Sequence, residues 1–165
     1  MEPLDIRLFV SDVDGTLLNS QRELTPATAT AIGELQAAGI RFALVSQRPL
    51  KGLYGLMEKL KISAACAALN GGVIVDGNRV FVSEQIISSA LAREVVSAVE
   101  RFSLDPWIYT RDEWYVPRGD GAHVQHEAES VVVSPVPFER LSEVRGPSDN
   151  QSHRGKRQLR SGHRL

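Results

Sequence analysis

Cysteine is nearly absent from this chain. Its 165 residues include one, Cys66, so no intramolecular disulfide can form, which fits a reducing cytoplasm. Cys66 stands in the apolar run Ala64-Ala65-Cys66-Ala67-Ala68-Leu69, where a buried structural thiol is expected rather than a nucleophile. Long apolar runs are also missing. No segment reaches the roughly 18 apolar residues of a membrane span, and the start MEPLDIRLFV carries acids where a secretory leader has basic residues before an apolar stretch. Charge of one dominant sign is lacking as well: the formal net charge is -1, which points to neither nucleic acid nor membrane. Metal-ligand clusters are sparse. His123 and His126 lie beside Glu127 and Glu129, but without cysteines or a well-placed third ligand they do not predict a zinc site.

What is present is a strong signal near the beginning. Ile6 to Ser20 reads IRLFVSDVDGTLLNS, and its apolar run Ile6, Leu8, Phe9, Val10 predicts a strand buried on both faces of a parallel sheet. Ligands bind at the carboxyl ends of such strands. In an extended chain Asp12 and Asp14 point to the same side, so both carboxylates can converge on one point. Gly15 then permits a tight turn. Two hard carboxylates suit Mg²⁺. One carboxylate, Asp12, can act as a nucleophile on phosphorus, while Asp14 can protonate the leaving oxygen and later deprotonate a water. Two other readings exist for this pair. A turn cap is one. An EF-hand is the other, with Asp12, Asp14 and Glu23 at its loop positions one, three and twelve, but Leu17 stands where that loop needs glycine and the flanking segment reads as strand.

The following segments alternate. Thr25-Pro26 opens a helix that Gly39 closes. Ile40–Val45 is a strand, Leu50–Leu60 a helix and Ala64–Leu69 a third strand, a pattern that predicts a parallel α/β sheet. After Asn70-Gly71-Gly72 the pattern changes: Val73–Val75 and Val80–Val82 predict a hairpin, Ser89–Phe102 an amphipathic helix, and Trp107–Tyr109 with Trp114–Val116 a second hairpin. Val131–Val136 reads as part of a strand or a lead-in to one. Residues 1–82 are thus read as an α/β unit with a hairpin linker, 83–145 as a partial α+β unit and 146–165 as a tail. That tail holds Arg154, Lys156, Arg157, Arg160 and Arg164 and almost no apolar residues, so it is expected to be disordered. Basic tails bind phosphates, but no aromatic side chains interleave these charges for stacking.

Other candidates fall at the ends of the next strands. Ser46 offers a hydroxyl for a phosphoryl oxygen, or else a helix cap before Pro49. Arg48 can orient substrate, or pair with a surface carboxylate. Asn70 and Gly71 allow close backbone approach or a contact to substrate, or else form a plain turn. A receiver-like phosphoacceptor domain also places aspartates at strand ends, but it requires a lysine at the end of a late strand, and none is present.

DVDGTLL after the first strand, Ser46-Gln47-Arg48-Pro49 after the second and Asn70-Gly71-Gly72 after the third resemble the haloacid dehalogenase superfamily, and within it the Cof-type sugar-phosphatase-like branch. The resemblance covers roughly Ile6 to Phe138. It implies a Rossmann-like core with an α+β cap inserted after the third core strand. It also implies Mg²⁺ held by the Asp12 carboxylate and the Asp14 backbone carbonyl, an Asp12 phosphoenzyme, Asp14 as acid/base, Ser46 as the phosphate-binding hydroxyl, and a small phosphorylated metabolite as substrate. Two departures stand out. Ser46-Gln47-Arg48 replaces the usual Thr-Gly-Arg, and neither the phosphate-binding lysine nor the GDxxND-like acidic loop of that branch is present. Lys156 and the Gly146-Pro147-Ser148-Asp149-Asn150 stretch do not replace them. These absences predict a chain shortened or frameshifted near Arg145 or Gly146, with an incomplete core and cap. They also support an alternative reading as a non-catalytic remnant that binds phosphate or a protein partner.

Overall fold

The computed structural model describes residues 5–111 and 113–144; the basic tail lies outside the described residues. Two sheets organise the chain. The larger has the order β1 (Leu8–Asp12), β2 (Arg41–Val45), β3 (Cys66–Ala68), β4 (Val73–Val75), β5 (Phe81–Glu84). Its first three strands run parallel, and β4 and β5 add an antiparallel hairpin. Helices α1 (Pro26–Ala37) and α2 (Tyr54–Lys59) make the two crossovers. Thr25 caps α1 by accepting from the Thr28 N–H at 3.1 Å, Pro26 occupies the first turn, and Gly39 at φ 81° lets the chain leave the helix in the left-handed region. The core beneath the sheet is built from Val13, Ile32, Phe42, Leu44, Leu53 and Met57, among others.

Cys66 belongs to this core with no exposure. Burial pushes its thiol up to about 11. Alkylation of the folded protein near pH 8 is therefore expected to run about a hundredfold slower than that of the unfolded chain, since only the thiolate reacts. Equal rates with and without denaturant would show that β3 is not enclosed.

One expectation fails at β1. Ile6, Leu8, Phe9 and Val10 are 54%, 45%, 46% and 55% exposed, not buried on both faces. The reason is position: β1 is the edge of the sheet and pairs with β2 alone among the described residues. An apolar run signals a strand that tolerates burial, but burial itself needs neighbours on every side. Phe9 gains one partial cover by stacking on Phe42, ring centroids 5.7 Å apart.

The smaller sheet has the order β6 (Ile108–Tyr109), β7 (Trp114–Val116), β8 (Pro135–Pro137). Helix α3 (Ser89–Arg101) precedes it, capped by Ser88 accepting from the Leu91 N–H at 3.2 Å. Only Val96 on α3 is buried; Leu91 and Val95 are exposed. The 131–136 region leads into a strand, as read, but the strand proper is short and lies at its far end. Val124–Val131 forms helix α4, and the strand is confined to Pro135–Pro137, parallel to β7. Val124, Val131 and Val133 join Trp114 and Val116 in a second core. Among the described residues no helix is long and apolar enough to cross a membrane.

Candidate active site

Strand register assembles the site. Asp12 is level with Val45, and Val45 with Ala67, so the carboxyl ends of β1, β2 and β3 meet at one edge and carry Asp12, Ser46 and the Leu69–Gly71 turn. β1 ends at Asp12, and the chain then enters a wide turn, Val13–Leu17, closed by the Leu18 N–H donating to the Val13 carbonyl at 2.9 Å. Gly15 at φ 78° makes the reversal without the steric penalty a side chain carries there. The turn sends the two carboxylates to different partners. Asp12 Oδ2 accepts from the Thr16 hydroxyl at 3.2 Å. Asp14 is gripped at both oxygens by Arg48, from Nε at 2.8 Å and Nη2 at 2.5 Å.

Arg48 does pair with a carboxylate, the half-buried one of Asp14. Its side chain is 4% exposed and that of Asp14 33%, so the pair joins the β2 end to the β1 turn through a part-buried contact. Two parallel charge-assisted bonds hold a carboxylate in place and in orientation better than one. Ser46 is buried at 2% exposure. Its Oγ accepts from the Arg48 N–H at 3.1 Å, which is the capping-type bond, while its own proton remains available to donate. The main chain around it is tied to the next strand end: Asn70 N–H donates to the Ser46 carbonyl and Leu69 N–H to that of Arg48, both at 3.0 Å. Leu69, Asn70 and Gly71 follow at φ 50°, 55° and 91°, a sharp turn with Asn70 exposed. Gln47, where the resemblance has glycine, is also exposed.

Sequence reasoning passed over Thr16. Its signal was present, a small hydroxyl residue four positions after Asp12, the span of this turn. It also passed over the contacts between the two units. Arg22 Nη2 meets His126 Nε2 at 3.2 Å, which requires the neutral imidazole to accept there. Lys51 faces Glu113 at 3.5 Å, Arg111 pairs with Glu84, and buried Gly52 lies against the end of α4. In the smaller unit, burial and then the hydrogen bond to Glu127 raise the Tyr109 phenol above its ordinary range.

For Mg²⁺ the side chains present are few. Among the described residues no three His, Cys, Asp or Glu side chains cluster as a metal site, and Arg48 occupies both Asp14 oxygens. What remains is the Asp12 carboxylate, whose Oδ1 takes no hydrogen bond among the described residues, and backbone carbonyls of the turn. These are hard oxygen donors, and they fit an ion that keeps several waters and substrate oxygens in its shell.

The model of the haloacid dehalogenase-like hydrolase family matches residues 9–150. The chain belongs to that family. Among curated haloacid dehalogenase relatives, it is 33% identical over 86 residues to the 5-amino-6-(5-phospho-D-ribitylamino)uracil phosphatase YcsE of Bacillus subtilis, covering 52% of this chain and 34% of that protein. It is 26% identical over 113 residues to the phosphatase YwpJ of the same organism, covering 68% and 40%. The fold matches a haloacid dehalogenase-like hydrolase from Bacteroides thetaiotaomicron with a TM-score of 0.79 at 24% identity, over 87% of this chain and 56% of that one. The chain thus spans less than half the length of these two curated relatives and just over half of this solved structure.

Proposed function

We propose that this chain carries the phosphoryl-transfer centre of a Mg²⁺-dependent phosphatase acting on a small phosphorylated metabolite through an aspartyl-phosphate on Asp12. The observation that carries this reading is the convergence at one sheet edge of Asp12, the buried Ser46 hydroxyl and the Arg48-bound Asp14. Asp12 attacks phosphorus as the bond to the leaving oxygen breaks, and Asp14 supplies that oxygen's proton. Water then attacks the same phosphorus, Asp14 takes the water's proton, and phosphate leaves with the Asp12 carboxylate restored. A proton on Asp14 removes one of the two oxygens that accept from Arg48, so the remaining bond keeps the acid oriented while it gives that proton up. Ser46 donates to a phosphoryl oxygen. Bound Mg²⁺ supplies neutralisation of the phosphoryl charge. In this reading the smaller unit is the substrate-selecting cap; the names of the relatives are in keeping with phosphatase activity.

The test is hydrolysis of p-nitrophenyl phosphate with Mg²⁺ and after chelation. Turnover is expected to fall to background without the metal and return on adding it, and acid-quenched protein is expected to hold phosphate that hydroxylamine releases. Metal-independent turnover would sink the reading. The exposed apolar residues of β1 favour one alternative, a non-catalytic domain that pairs its open edge with a partner. It predicts no hydrolysis that depends on Asp12.

A further inference from the structure

We propose that the cleft between the 18–26 loop and the 48–59 segment is a second anion site, and that the substrate turned over at Asp12 carries a second anionic group, phosphate or carboxylate, held there. This deepens the phosphatase reading and rests on it for the substrate, while the binding site itself can be tested without turnover. The cleft has a volume of about 580 Å³, within the range of small-molecule pockets. Arg22, Arg48, Lys51 and Lys59 line it, with Glu23 as the one lining acid. Three of these cations come from one segment, residues 48–59, and the fold brings Arg22 from the preceding loop onto the same cavity.

The charges are unevenly balanced. Arg48 is neutralised by Asp14. Lys51 has Glu113 at 3.5 Å, an exposed contact at the long end of ion pairing. Arg22 is directed at an imidazole rather than a carboxylate, and among the described residues no acid is paired with it or with Lys59. Lys51, Gly55 and Lys59 follow at a spacing of four along the helical 50–59 segment and therefore share a face. Gly55 has open space where a side chain would stand, so the wall between the two lysines is low. A solvated basic face needs neither a cavity nor a link to the site. Here Arg48 lines the cleft and its guanidinium grips Asp14, two residues after Asp12, so the cleft and the turn that follows Asp12 share this residue. A substrate with two anionic ends satisfies both places, and a neutral sugar at the second end leaves the cleft's charge unmatched.

Binding is measured by isothermal titration on Asp12→Asn protein, in Mg²⁺, with two ligand pairs. Fructose 1,6-bisphosphate against fructose 6-phosphate isolates a second phosphate; 3-phosphoglycerate against glycerol 3-phosphate isolates a carboxylate. In at least one pair the doubly anionic member is expected to bind about tenfold tighter. The joint substitution Lys51→Gln, Lys59→Gln is expected to bring that ratio close to one. The pair that shows the gain identifies the group. No gain in either pair, or a gain that survives the double substitution, overturns the proposal. If parent and Asp12→Asn hydrolyse p-nitrophenyl phosphate equally, the catalytic reading fails, and the titrations still decide the anion site.

Discussion

Asp12→Asn is expected to lower phosphate-ester hydrolysis by about a thousandfold or more, with the unfolding transition unchanged. The substitution is nearly isosteric. Its amide oxygen can still accept from Thr16, as Asp12 Oδ2 does at 3.2 Å, and β1 loses no packing because Asp12 is exposed. What disappears is the negative oxygen that the proposed mechanism uses to attack phosphorus and to bind a hard cation. Steady-state rates with p-nitrophenyl phosphate, paired with a thermal scan of each protein, check it. A variant within tenfold of the parent, equally stable, would remove Asp12 from the chemistry and leave the partner-binding domain as the better account.

The second large effect is structural. Gly52→Ala is expected to cost about 3 kcal/mol of stability. A Cβ there stands 1.9 Å from the Val131 carbonyl oxygen and 3.1 Å from its carbon. Those are backbone atoms at the end of α4, so no rotamer change relieves the overlap. Either the 50–52 turn or α4 must move, and α4 carries Val124 and Val131 of the second core. Gly55→Ala is the control. It lies inside α2 with nothing within 4 Å of the new atom, and alanine there is expected to stabilise by about 0.5–1 kcal/mol through lower unfolded-state entropy. Denaturant titrations of both variants check the pair. Equal stabilities would mean that α4 does not rest on this turn.

The elements nearest Asp12 were legible because their signals are local. The run into Asp12, the Thr25-Pro26 opening, the Gly39 stop and the alternation through Leu69 each depend on residues a few positions apart, and each corresponds to an element of the structure. Less legible features depend on distance. Arg48 and Asp14 are 34 residues apart, and nothing in either neighbourhood says that one reaches the other. The exposure of Leu8, Phe9 and Val10 depends on which strands stand beside β1, which composition does not encode. Helix α4 is legible only in part: Val124, Ala128 and Val131 give a helical stripe, but it is short and interleaved with His123, His126, Glu127 and Glu129, a polar pattern equally compatible with a loop. Strand β8 is bounded by Pro135 and Pro137, residues that remove ladder donors, so the pattern signals a strand there without fixing its ends.

The place of β1 at the rim of the sheet bears on the durability of the centre. Cooperative structure opens first where the fewest contacts must be broken, and an edge strand with solvated apolar side chains gives way before a strand flanked on both sides. Here β2 is held between β1 and β3, while among the described residues the strand that delivers Asp12 has one ladder, a stacked ring pair and the Arg48 clamp on the turn that follows it. The proposed nucleophile is therefore mounted on a strand that, among the described residues, is paired on one side only, and Arg48 ties the turn after it to the end of β2. Fraying at that strand would silence the centre well before the rest of the domain melts.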